Sequence, residues 1–177
     1  MNYFELFDFP VSFYIDKNIL EERYEALRRI YQPGFSPDEP LEELPDMVEK
    51  ALLVDKAYLV FQDQDETIQY VLQLKDMLPE EGEYELSEQF LMEVRDINEE
   101  LVELELDEKQ EQLMNVEQKV NTLILKVYED LASVMESYKE DAGTEETLLQ
   151  VKDFYYQKKY LQRILDRING IRNIASL

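Results

Sequence analysis

FLMEVRDINEELVEL, residues 90–104, decides the fold. Phe90, Val94, Ile97, Leu101 and Leu104 recur at steps of four and three, which places all five in one narrow stripe of a helix turning about 100° per residue. Most residues between them are charged, so one side is built for burial and the others for water. The same spacing recurs elsewhere along the chain: in Leu20, Tyr24, Leu27 and Tyr31, in Met47, Ala51, Val54, Tyr58 and Phe61, and in Leu113, Val116, Val120, Leu123, Val127, Leu131, Val134 and Tyr138. Phe154, Leu161, Leu165 and Ile168 continue it in a last helix. No segment alternates persuasively as a strand, so the expected class is all-α.

Breakers divide these helices. Pro10 is expected to end a short first helix, and Asp16 is placed to cap the second. Pro33 and Gly34 stop that second helix, since proline lacks an amide donor and glycine accepts an irregular turn. A third helix is expected over about 44–61 and a fourth over about 66–77. Ser87 can cap a fifth over 88–106, a sixth runs near 108–139, and "EDAGT" closes it before a seventh within 145–174. Four short helices precede three long ones. The expected organisation is a first domain over 1–78, a linker over 79–86 with Pro79, Gly82 and a cluster of acids, and a three-helix bundle over 87–177.

Composition narrows the function classes. The chain has 177 residues, 45% hydrophobic and 33% charged, enough for one good core or two small ones. It lacks cysteine and histidine, which removes disulfides, thiolate nucleophiles, the commonest general base and the commonest transition-metal ligand. No catalytic residue, metal site or cofactor is expected. A carboxylate-bridged metal enzyme is disfavoured, because the Glu-x-x-His pairing of such bundles needs histidine. The formal charge of −23 argues against nucleic acid and anionic membranes as partners. There is no apolar run near twenty residues and no basic-then-apolar start, so a cytoplasmic location is the default. The charge is uneven: Asp76 to Glu111 is strongly acidic, whereas the stretch after Gln150 carries Lys152, Lys158, Lys159, Arg163, Arg167 and Arg172. These two segments are expected to be neighbouring helices of one bundle, guided by pairs worth about 0.2–1 kcal/mol each.

Several stretches resemble a known family in their usual order: "NYFELFDFP" with "SFYID", "LEERYEALRRIYQP", "VDKAYLVF", "TIQYVLQLKDM", "YELSEQFLMEV" and "LLQVKDFYYQKKYLQRILDRI". Together they look like an HscB-type co-chaperone, similar to Bacteroidetes members. The resemblance implies an N-terminal J-domain and a C-terminal three-helix bundle. It further implies that the bundle binds an IscU-type iron–sulfur scaffold and that the J-domain stimulates a DnaK/HscA-type chaperone. The family's J-domain carries His-Pro-Asp after its second helix, where this chain has Gln32, Pro33 and Gly34. Gly34 has no side chain to accept a charge-assisted hydrogen bond, and Gln32 cannot become cationic. Weak or absent ATPase stimulation is therefore expected, with Arg28 and Arg29 as remaining chaperone contacts.

On the bundle, the stripe of residues 90–104 turns Met92 roughly 160° away from the core, among charged neighbours. An exposed methionine suits an irregular apolar partner. The scaffold contacts implied by the resemblance fall on Leu91, Met92, Asp96, Glu99 and Tyr156, with Arg95 at a position that is often leucine. Phe154 is the better core residue and Tyr156 the better surface one. A pseudo-J-domain protein serving another client as a static interaction module is the alternative.

Overall fold

The structure, a computed structural model, describes residues 1–31, 44–78, 84–106, 109–138 and 144–175. Among these residues it is all-helical, with α1 (Tyr3–Leu6), α2 (Lys17–Tyr31), α3 (Leu44–Gln62), α4 (Gln64–Leu74), α5 (Glu88–Leu106), α6 (Gln110–Glu136) and α7 (Thr144–Ala175). No helix among them is long and apolar enough to cross a membrane. The chain divides into two compact units: Met1–Lys75 with Met135–Thr144, and Asp76–Val134 with Glu145–Leu177.

The first unit is the J-like domain, built on the antiparallel hairpin of α2 and α3. Asn2 caps α1 through a reciprocal box with Glu5. The helix then ends before Pro10, because Asp8 takes the left-handed conformation at φ 52° and the Phe9 amide closes back on the Phe4 carbonyl. α4 is likewise shorter than its apolar pattern suggested. Asp63 accepts from the Asp65 and Glu66 amides at one end, and Asp76 turns left-handed at φ 54° beyond the other. Both stops use aspartate, which tolerates this region better than most residues.

Phe61 sits in the middle of the first core and is fully buried. Its ring lies 4.8 Å from Phe4, 5.7 Å from Phe7, 6.0 Å from Phe9 and 6.4 Å from both Tyr3 and Tyr70. These aromatic contacts fasten the N-terminal segment to α3 and α4. Of the α2 stripe only Leu20 is fully buried; Tyr24 instead stacks on Tyr58 of α3 at 3.8 Å.

The second unit is the three-helix bundle. Every residue of the α5 stripe is buried, against Leu113, Val116 and Val120 of α6 and Leu161, Ile164 and Ile168 of α7. Ile164 holds the core position, while Leu165 packs half-buried at its edge. Ser87 accepts the Phe90 amide and so caps α5. Asn98 donates to the Tyr160 hydroxyl and Arg167 donates to Glu105; both pairs are offset by 62 residues, so α5 and α7 run parallel. α6 runs against them, with Lys119 paired to Glu100 and Glu117 to Arg172. The acidic and basic segments of the sequence are thus neighbours.

Candidate functional site

In the first unit, the candidate residues Gln32, Pro33 and Gly34 lie outside the described residues. Arg28 and Arg29 occupy the last turn of α2, where cations favour the negative end of a helix. Both have partners. Arg28 pairs with Asp55 at 3.8 Å and lies over the Tyr24 ring, and Arg29 pairs with Glu25 at 3.2 Å. Burial and the neighbouring Asp55 raise the Tyr24 phenol above its ordinary value, so it stays protonated and donates to Asp55 at 2.9 Å.

The other two cations of α2 are also occupied. Lys17 donates to the Phe61 and Gln62 carbonyls at 2.7 and 2.9 Å, closing the C-terminus of α3. Arg23 donates to the Phe7 and Asp8 carbonyls and lies over the Phe9 ring at 4.6 Å. Much of the positive charge of α2 therefore holds the unit together. Sequence reading missed these roles, because the acceptors are backbone carbonyls distant along the chain.

In the second unit, Met92 is 70% exposed and Leu91 43% exposed on the outside of α5. Asp96 and Glu99 are exposed beside them, and Arg95 reaches both carboxylates, at 3.7 and 3.9 Å. Arg95 thereby settles among acids and leaves its alkyl stem along the helix. The candidate residues do not all share one patch. Leu91 and Asp96 are about 140° apart around the helix; Leu91 leans toward α7, whereas Asp96 lines the groove against α6 with Glu93, Glu100 and Lys119. Met92 and Glu99 form the crest between. Among the described residues no cluster of three or more carboxylates is arranged to hold a metal ion.

Tyr156 is half-buried rather than fully open. Its ring stacks on Tyr84 at 4.0 Å and meets Tyr155 edge-on at 5.2 Å. Burial, with Tyr155 close by, raises its hydroxyl above the ordinary tyrosine value, so at neutral pH it is an uncharged donor. Lys152 sits over the other tyrosine of the stack, 5.3 Å from the Tyr84 ring. Tyr84 was not foreseen: it lies in the extended stretch ahead of α5, where no helical period indicates side-chain direction. By the offset of 62 residues, Tyr156 is level with Val94 of α5, one turn from Leu91 and two residues along from Met92. A flexible thioether, a leucine and a stacked tyrosine pair thus lie near one another beside carboxylates, a mixture of apolar and charged groups that protein partners can meet.

Residues 86–169 match the family described as the HSCB C-terminal oligomerisation domain. The chain is 31% identical over 116 residues to the human iron–sulfur cluster co-chaperone protein HscB, covering 65% of this chain and 49% of that protein. It is 31% identical over 103 residues to a co-chaperone protein HscB homolog of Vibrio cholerae, covering 57% of this chain and 60% of the homolog. The aligned part thus spans about half the length of the human relative. The crystal structure of the human co-chaperone protein HscB superimposes with a TM-score of 0.70 at 25% identity, over 97% of this chain and 82% of that one. Bundle, aligned relatives and end-to-end structural likeness all point the same way: the chain is similar to HscB-type co-chaperones.

Proposed function

We propose that the protein is an adaptor in iron–sulfur cluster assembly, without chemistry of its own, that binds an IscU-type scaffold through α5 and α7 and presents it to a DnaK/HscA-type chaperone in the cytoplasm. The observation that carries this reading is the exposed Leu91–Met92 pair on a helix whose outer face is otherwise mainly charged, level with the stacked Tyr156. Similarity to the human iron–sulfur cluster co-chaperone supports it. Asp96 and Glu99 frame the apolar pair and favour a partner with cationic groups beside its own apolar contacts.

ATPase stimulation is weak in this reading. Pro33 matches the middle residue of the His-Pro-Asp motif, but Gln32 and Gly34 lack the cation and carboxylate that a J-domain normally offers there. Removing one member of a buried charged pair costs about 2–5 kcal/mol, a factor of tens to thousands in affinity. Arg28 and Arg29 already have partners, which favours the second reading, a pseudo-J-domain module with a different client and no chaperone stimulation.

The test of the ATPase reading uses the chaperone of the same cell and the double variant Gln32→His with Gly34→Asp. The variant should stimulate ATP hydrolysis more than the wild type does. Strong stimulation by the wild type contradicts the reading.

A further inference from the structure

Apolar exposure on α5 does not stop at Met92. Val102 is 52% exposed and Leu106 is 86% exposed. At about 100° per residue they fall roughly 80° and 40° round from Met92, on the same side as Leu91 and Arg95. That side faces α7, as the reach of Asn98 and Glu105 to Tyr160 and Arg167 shows. Arg95, tied to Asp96 and Glu99, interrupts the apolar stripe, and Val102 and Leu106 resume it about two turns further on.

Arg163 of α7 borders this second stretch. The offset of 62 residues sets it level with Leu101, next to Val102. It lies between Tyr160 and Arg167 on the α7 face turned to α5. Arg167 is engaged by Glu105, and Asp166, the acid closest to Arg163 in sequence, accepts from Gln162. Arg163 itself is exposed, with no ion pair or hydrogen bond among the described residues. In a chain with a formal charge of −23, an arginine left without a carboxylate is available to a carboxylate from elsewhere.

Building on the scaffold-binding reading, we propose that the docking face continues from Glu99 to Leu106, with Val102 and Leu106 as a second apolar contact and Arg163 as an anion-binding border. The occupant is a segment of the same scaffold protein that carries apolar side chains matching a pair one helical turn, about 6 Å, apart. An acidic side chain of that segment meets Arg163 in a bidentate pair. Charge complementarity then fixes the direction in which the scaffold lies: basic groups toward Asp96 and Glu99, an acidic group toward Arg163. A second copy of this chain fits poorly, because each copy brings the same large negative charge to the contact.

The experiment measures binding of the full chain to the cognate IscU-type scaffold by titration calorimetry, with sedimentation velocity of the chain alone. The expected result is a loss of about tenfold or more for Val102→Ser with Leu106→Ser, and a similar loss for Arg163→Glu that shrinks as salt is raised. Arg163→Gln should lose less than Arg163→Glu. Unchanged thermal midpoints show that these exposed substitutions leave the fold intact. If Met92→Ala with Tyr156→Ala weakens binding while the Val102, Leu106 and Arg163 variants bind like the wild type, the extension is wrong and the scaffold reading stands. A wild type that does not bind the scaffold removes both. Self-association of the wild type that Leu106→Ser abolishes assigns the stripe to a second copy and overturns the proposal.

Discussion

Lys17, Arg23 and Arg28 of α2 are all held within the first unit, by carbonyls of other segments or by a carboxylate of α3, and Arg29 is paired along α2 itself. Arg163 of α7, in the second unit, has no such partner among the described residues. In sequence the two helices look alike, each a mixture of basic and aromatic residues. The cations of both helices are mostly engaged, and Arg163 is the exception among the described residues. Those of α2 supply hydrogen bonds that the fold would otherwise lack, whereas the α7 face next to α5 keeps an unspent charge beside exposed apolar side chains. Basicity in a sequence therefore shows where charge is placed, and the acceptors around it decide whether it is available to a partner.

The largest test of this contrast lies in the first unit. Phe61→Ala removes the ring that five other aromatic residues pack against. A loss of about 3–5 kcal/mol is expected in urea denaturation, comparable with the whole stability of a small domain. Next comes the direct comparison of cations. Arg23→Ala strips donors from the Phe7 and Asp8 carbonyls and should cost about 1–3 kcal/mol. Arg163→Ala should stay within about 0.5 kcal/mol of the wild type, since it removes no described hydrogen bond or ion pair. Equal effects on stability from these two substitutions would erase the distinction.

Smaller effects sharpen the picture of α7. Gly170 lies inside that helix, and a methyl group there would meet nothing within 4 Å. Gly170→Ala should therefore stabilise by about 0.5–1 kcal/mol, read as a raised thermal midpoint. Desolvation by its neighbours raises the Asp153 carboxyl above its ordinary value, although the residue is exposed. A raised carboxyl binds its proton more readily in the folded state, so this site weakens the fold as pH rises through that value. Asp153→Asn should melt slightly higher than the wild type at pH 7, with the gap closing below the usual carboxylate range.

Much of the fold could be read from residue spacing, and the reason is local. The α5 stripe keeps one period over its whole length, and every member is buried. Helix ends were harder. Asp8 and Asp76 stop α1 and α4 through left-handed backbone, a role that aspartate fills without the glycine that would have signalled it. On the candidate face, exposure of Met92 and burial of Phe154 followed from helical geometry. The Tyr84 stack on Tyr156 did not, because it joins an extended segment to a helix far along the chain. The fates of Lys17 and Arg23 were hidden for the same reason.

The most direct measurement is calorimetric titration of the full chain with the cognate IscU-type scaffold, for the wild type and for Met92→Ala with Tyr156→Ala. Micromolar or tighter binding by the wild type is expected, with a loss of at least about tenfold in the double variant and the thermal midpoint held. Equal affinity in the two proteins, or no binding by the wild type at micromolar concentrations, would contradict the scaffold-binding reading.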